Sequence, residues 1–425
     1  MRIPRFLKTA FPNFEVIDLK EWIQDRRVEV FLEAQNERIQ HCHRCGTVLH
    51  CQNQGKYRVK LEGMPVLGLR LFVHFWRARG YCTQCKKIRA ERIDWISEET
   101  PHLTQEYAWW LGRLCEIAPV SRVAEMFFKD ETTLWRLDLA RMRRMLSFYK
   151  IPEVTAISVD EVYARRKPKH PGESRDDRFF TIVCDLKTRK VIWVAESRRR
   201  EALDQFFQLI GKEAASKIQV VASDQHEGYA ASIRENVPQA THVWDRFHLM
   251  QVFEEAVNET RKDLHEEQDR GSEMSRLTRG EFRFLFLKKA NRRTEEERTH
   301  IEDVLKENQG FVKLELIKER MLTFFDQQTE QEAFKIFEEI GDWIWQCGFK
   351  PLMKWHKKFE SEWKQVKNYF QYRVTSALSE GMNNVIKMLK RRAFGYRNME
   401  YFRLKILQVC GYLNSRFIPS IDSLT

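Results

Sequence analysis

Asp160, Asp224 and Glu380 are the side chains whose types and settings best suit chemistry, although they lie far apart in the chain. Asp160 follows the apolar run Ala156–Val159, and Asp224 follows Ile218–Ala222 and Ser223. Glu380 stands at the head of SEGMNNVIKMLKRRAFGYRN, a basic segment at 379–398. A carboxylate beside several cations is, taken alone, ordinary helix charge patterning, and Asp is a common turn former at strand ends. Three converging carboxylates mean something else. They form a hard oxygen donor set suited to Mg²⁺ or Mn²⁺. Two such ions about 4 Å apart can grip the attacking and leaving oxygens of a phosphodiester.

A second constellation is sulfur-based. HCHRCG at 41–46 carries Cys42 and Cys45, and YCTQCK at 81–86 carries Cys82 and Cys85. Two residues between cysteines let a tight turn aim both thiolates at one tetrahedral ion, so the pairs read as Zn²⁺ ligands. A redox dithiol needs only one such pair. The stretch between them alternates in part as strands do, which makes a zinc ribbon. His41, His43, His50 and Cys51 are spare donors nearby.

These residues need elements to position them. After the ribbon the period turns helical, with one helix over Gln105–Glu116 and a second N-capped by Ser121. A third starts at Glu131 after the Lys129-Asp130 turn. Three short helices with a tight turn before the last read as a helix-turn-helix, which would set Thr132, Thr133 and Arg136 against DNA bases. Beyond Pro152 the pattern becomes β. The strand ending at Asp160 is followed by the hairpin Phe179–Cys184/Val191–Ala195 and a helix near 202–212. A strand to Asp224, a helix near 226–236 and the strand Thr241–Trp244 before Asp245 complete the run. The order β-β-β-α-β-α-β is that of a ribonuclease-H-like sheet, three antiparallel strands extended by two right-handed crossovers. Ligands of open sheets collect in a crevice at the strand ends, where Asp160 and Asp224 fall. In the Glu380 segment, Leu378, Met382, Val385, Ile386 and Leu389 form an apolar helical stripe. Lys387, Lys390 and Arg391 remain to hold a DNA backbone. Glu161, next to Asp160, points to the other sheet face by strand alternation, and Asp185 reads as a turn residue.

Composition agrees with that partner. The 425 residues carry a net charge of +12, as suits a polyanion, and 43% hydrophobic content supports real cores. No apolar run approaches the roughly 20 residues of a membrane span. The first residues show no apolar signal core, so a cytoplasmic location is expected, and nine cysteines there read as thiols or metal ligands. No Walker loop or G-x-S-x-G elbow points to another class of enzyme.

Taken together, the C-x-x-C pairs, the helix-turn-helix, SVDE at 158–161, SDQHEGY at 223–229, WDRFHL at 244–249 and the 379–398 segment resemble the ISL-three family of bacterial insertion-sequence transposases. The resemblance spans nearly the whole chain. It implies a DDE triad on Asp160, Asp224 and Glu380, with Asp245 and His248 as a secondary D-x-x-H pair. It also implies that residues 249–374, which alone say only "helical", are an insertion in the catalytic domain. The expected layout is a multidomain α+β chain. A zinc ribbon occupies 1–100 and a helix-turn-helix 101–150. A ribonuclease-H-like core at 151–248 is interrupted by the helical insertion at 249–374 and resumes over 375–425. The expected function is binding of terminal inverted repeats in double-stranded DNA, then Mg²⁺-dependent strand cleavage and transfer by a homodimer or higher oligomer. The competing classes are a non-catalytic DNA-binding regulator and a structure-specific nuclease.

Overall fold

A computed structural model describes residues 10–35, 39–50, 55–165, 171–269, 271–373 and 377–414, with the side chains of 377–380 outside that description. The chain divides into two compact units, one over residues 1–149 with 413–425 and one over 150–412.

In the first unit, β1 (Phe14–Trp22), β2 (Arg27–Ala34), β4 (Leu69–Cys82) and β3 (Lys56–Val66) lie in the order β1-β2-β4-β3, and β5 (Lys87–Ala90) pairs with β4. Strand alternation splits the sheet cleanly. Val30, Leu32, Leu61, Val73 and Phe75 fill one face with Trp95, and charged residues and aromatic rings share the other. The β3–β4 turn is Leu67-Gly68, both with positive φ (50° and 80°), the mirror-image turn whose twist suits a two-residue hairpin. Three helices follow, α1 (Gln105–Ile117), α2 (Val120–Phe127) and α3 (Glu131–Phe148). Ser121 is not an N-cap. Buried Val120 already belongs to α2, and Pro119, whose ring fixes φ and which has no N–H, takes the cap position. Asp130 caps α3, accepting a 2.9 Å hydrogen bond from the Thr133 N–H. The turn between α2 and α3 is pinned to the sheet, because Lys129 pairs with the buried Glu62 carboxylate and Arg70 Nε bonds the same group at 3.1 Å.

The second unit carries a sheet in the order β10-β9-β6-β7-β8. Its strands are β6 (Ala156–Tyr163), β7 (Phe179–Asp185), β8 (Lys190–Glu196), β9 (Val220–Ser223) and β10 (Thr241–Trp244). β6, β7 and β8 run antiparallel, and β9 and β10 are added parallel to β6 through α4 (Arg200–Ser216) and α5 (Glu227–Asn236). One face packs Ile157, Val159, Leu203, Phe206, Val221 and Tyr229 into a core. One expectation needs correcting here. The first strand does not end at Asp160, because Val162 is buried and the ladder to β7 continues as far as Tyr163–Phe179. Asp160 therefore sits inside a strand.

From Arg246 onward the described residues are helical up to the last helices of the unit. The run comprises α6 (Arg246–Glu266), α7 (Glu273–Leu277), α8 (Phe282–Leu287), α9 (Glu295–Glu307), α10 (Gln309–Leu322), α11 (Glu330–Cys347), α12 (Lys350–Ser361) and α13 (Trp363–Tyr372). Capping boxes on Thr294/Glu297 and Thr329/Glu332 start α9 and α11. Phe253, Phe311, Phe324, Phe337, Trp355 and Phe359 build an aromatic core that continues onto Val243 of β10. α13 is laced to that edge strand, Asn368 Nδ2 donating to the His242 carbonyl at 2.8 Å. α14 (Ala377–Arg392) packs on β6, and α15 (Met399–Cys410) packs on β8. No described helix is long and apolar enough to cross a membrane.

Candidate active site and cysteine cluster

The cysteine pairs sit where two turns meet, one before β3 and one between β4 and β5. Cys42, Cys45, Cys82 and Cys85 place their Sγ atoms within 4.8 Å of one another. Measured separations are 3.4 Å for Cys45–Cys82, 3.5 Å for Cys45–Cys85 and 4.0 Å for Cys42–Cys85. A tetrahedral Zn–S₄ group with bonds near 2.3 Å has S–S edges of about 3.8 Å, close to these separations, so the set could hold zinc. Cys42 and Cys82 are fully buried. The Thr47 hydroxyl lowers the Cys45 thiol to about 6, and its sulfur neighbours, Cys45 first, push Cys85 up to about 11. Among the described residues the histidines expected as spare donors stay outside this group. The His41 ring meets the Gly46 carbonyl at 3.0 Å, the His43 ring meets the Ala90 carbonyl at 3.1 Å, and Cys51 lies outside the described residues.

In the segment expected as a helix-turn-helix, Thr132 and Arg136 are exposed on α3. Thr133 is half-buried and its hydroxyl bonds the cap residue Asp130 at 3.3 Å, so this residue serves the start of the helix.

The carboxylates gather in the second unit. β9 lies beside β6 with Ser223 opposite Val159, which places Asp224 one step past the strand next to Asp160. Asp245 follows the adjacent β10 and caps α6, accepting the Phe247 N–H at 2.9 Å. Its second oxygen holds the His248 Nδ1 at 2.9 Å. That bond, supported by Asp160 and Asp224, raises His248 to about 9 and makes it a cation at neutral pH. Burial pushes Asp160 up to about 6, with Asp224 and Asp245 adding like-charge repulsion. Asp224 is also raised, by burial first and then by Glu161. Such a cluster of partly desolvated acids is uncomfortable as bare anions and suits a cation. Asp245 and His248, expected as secondary, lie close enough to feel the charges of Asp160 and Asp224.

Asp185 behaves as turn chemistry predicts, and Glu161 is held by an arginine. Glu161 accepts from Arg198 Nη1 at 2.8 Å, although its charge still reaches Asp224. Asp185 accepts from the Lys187 and Thr188 N–H groups at 3.0 and 3.2 Å and from the Thr188 hydroxyl. It closes the β7–β8 turn.

The backbone of Glu380 belongs to α14, but its side chain lies outside the described residues. What fixes that helix is Asn383, whose Nδ2 donates to Asp160 Oδ2 at 2.7 Å. Glu380 precedes Asn383 by three positions in the same helix. Sequence reading missed Asn383; the doubled asparagine after the glutamate was the available signal. The apolar stripe is also narrower than expected. Ile386 is fully buried and Val385 is 39% exposed, because Asn383, Ile386 and Lys390 form the ridge that meets β6. Lys390 turns inward, bonding the Tyr163 carbonyl at 3.0 Å, whereas Lys387 and Arg391 are exposed. The helical run also braces the site, since Gln225, next to Asp224, donates to Glu362 at 2.9 Å.

A sheet of this order with acids at its parallel strand ends, followed by a helix pinned to the central strand, defines a protein of the transposase class once its relatives are considered. The chain belongs to the ISL3 transposase family, whose model, described as a transposase, matches residues 157–406. The transposase for insertion sequence element IS1001 of Bordetella parapertussis is 25% identical over 394 residues, 92% of this chain and 94% of that protein. The transposase for insertion sequence element IS1557 of Mycobacterium tuberculosis is 22% identical over 402 residues, covering 88% and 86% of the two chains. Among solved structures, the Drosophila P element transposase strand transfer complex aligns with 72% of this chain and 91% of that one, at 9% identity and a TM-score of 0.36.

Proposed function

We propose that this chain binds the ends of an insertion sequence and cuts and joins DNA there, with Asp160, Asp224 and Glu380 as a DDE triad on a ribonuclease-H-like core. The observation that carries the reading is the Asn383–Asp160 hydrogen bond, which holds the helix of Glu380 against the strand of Asp160 while Asp224 lies on the next strand. The donor set is all oxygen, with Asp160 and Asp224 raised in pKa by burial, so it fits Mg²⁺ or Mn²⁺ better than a softer ion. Bound divalent cations would supply charge stabilisation for the attacking and leaving oxygens of the phosphodiester.

The chain's own residues would do the rest. Asp160, on the central strand, would hold metal together with Asp224 and Glu380. Asn383 would hold the Asp160 oxygen in orientation. Asp245 fixes the His248 ring, whose cationic edge would meet a DNA phosphate beside the cleavage point. Lys387 and Arg391 would lie along the backbone of the bound end. In the first unit the four cysteines would hold structural zinc, and α3 would read bases through Thr132 and Arg136, with Thr133 shaping its start. Residues 1–100, 101–150, 151–248, 249–374 and 375–425 would then be the ribbon, the helix-turn-helix, the first part of the core, the insertion and the returning core helices. Assembly on DNA as a homodimer or higher oligomer would bring two ends together.

Incubating the protein with its element's labelled ends and Mg²⁺ tests the reading. Nicked and joined products should form. Asp160→Asn, Asp224→Asn and Glu380→Gln should each reduce both by about a thousandfold or more while end binding stays near wild type. Normal products from all three variants would leave the DNA-binding regulator as the reading; cutting without joining would leave the nuclease.

A further inference from the structure

The first unit has a sheet face turned away from its core, pinned at one end by the Lys129–Glu62 pair and exposed at the other, around Lys56, Arg58 and Trp76. On β3, alternate residues Lys56, Arg58 and Lys60 point to the side away from the Val30–Phe75 core. They stand opposite Ala78, Trp76 and His74 of β4. Trp76 is 56% exposed, unusual for an indole in a well-packed domain, and Arg58 is its direct cross-strand partner. Lys60 is held over Phe72 at 4.3 Å and reaches Glu29 at 3.3 Å. No ion pair among the described residues involves Lys56 or Arg58. The neighbouring rings are already covered, Phe31 by His74 stacked at 4.8 Å and Trp22 by Arg27 at 4.7 Å. Trp76 is the ring on this face left open beside free cations.

We infer that this face binds single-stranded DNA, one base stacking on Trp76 while Lys56, Arg58 and Lys60 follow the phosphates. Three observations select that occupant. Alternate strand residues are about 6.7 Å apart, so the cations form a straight row that an extended, unpaired backbone can track. An open ring next to guanidinium and ammonium groups is the combination that single-strand binders use, because every base has a π-face. A pleated face with its tryptophan standing in the open offers a base plane rather than a groove-reading edge, which favours an unpaired strand over an intact duplex. The inference rests on the reading of the chain as a protein acting on DNA, where frayed or nicked ends would expose such a strand.

The test uses full-length Asp160→Asn protein without divalent cations, so that cutting cannot intervene. Fluorescence anisotropy would be read with a labelled oligothymidylate, a labelled random duplex and the same single strand as RNA. The single strand should bind, quench tryptophan emission, and lose about tenfold in affinity with Trp76→Ala, most of it restored in Trp76→Phe. Arg58→Ala with Lys56→Ala should lower the salt slope on single strands by roughly 1.4, two contacts at about 0.7 each. Because Trp76, Lys56 and Arg58 are exposed, the variants should melt as wild type does. An oligothymidylate affinity unchanged by Trp76→Ala overturns the inference. So does an equal loss on duplex, which would make the face a duplex contact, or a preference for RNA. None of these outcomes bears on cleavage by the triad, which the labelled-end experiment reads separately.

Discussion

The two candidate metal centres are built in opposite ways. The cysteine cluster draws all four donors from two local turns, each carrying its own C-x-x-C, with a single hairpin between them. The proposed carboxylate centre would draw its donors from β6, the end of β9 and α14, beside Asp245 at the end of β10. Soft thiolates at fixed spacing make a closed site that a fold can rest on. Dispersed hard carboxylates, partly desolvated and mutually repelling, make a site whose geometry depends on everything that packs around it. One centre should therefore hold structure, and the other should hold chemistry on a scaffold that stands without it.

The largest effect that separates them is on stability. Cys82→Ser, or removal of zinc by a strong chelator, should cost the first unit about 3 kcal/mol or more, because metal binding there is coupled to folding. Metal analysis should fall from about one zinc per chain, and end binding should fall with it. Asp160→Asn should leave the melting temperature within a few degrees of wild type. Equal destabilisation by both would erase the distinction.

A middle-sized effect probes how the carboxylate centre is steadied. Asn383→Ala should slow cleavage about tenfold to a hundredfold with end binding unchanged, and Asn383→Asp should slow it more by setting a second carboxylate against Asp160. Retention of the wild-type rate in both would remove Asn383 from the site. The smallest effect concerns the outer ridge of α14. Replacing Lys387 and Arg391 with Ala should flatten the salt dependence of duplex binding by roughly two units of slope. Replacing Lys390 should change the slope little, since its ammonium bonds the Tyr163 carbonyl.

The same contrast explains what the sequence could reveal. The cysteine cluster was legible because its geometry is local, two residues fixing each pair. Strand order in the second unit was legible because apolar runs and turn residues alternate there, and the β7–β8 turn at Asp185 followed from Asx chemistry. Asp160 was misplaced at a strand end because Glu161 interrupts the apolar pattern, yet cross-strand pairing with Thr181 carries the strand onward. Ser121 looked like a cap by residue type, but burial of Val120 starts the helix earlier. The roles of Asn383 and Lys390 were invisible because both depend on contacts with residues more than two hundred positions away. The nearness of Asp245 and His248 to Asp160 and Asp224 likewise needs the sheet order, which sets β10 beside β9.

The central claim is that Asp160, Asp224 and Glu380 form one divalent-metal site. Manganese binding followed by electron paramagnetic resonance on the zinc-loaded protein tests it without DNA or turnover. Wild type should show a saturable Mn²⁺ site that Asp160→Asn, Asp224→Asn and Glu380→Gln each weaken by at least about tenfold, with Glu161→Gln close to wild type. A Glu380→Gln variant that binds Mn²⁺ as wild type does, together with loss of binding in Glu161→Gln, would contradict the account and move the third ligand onto β6.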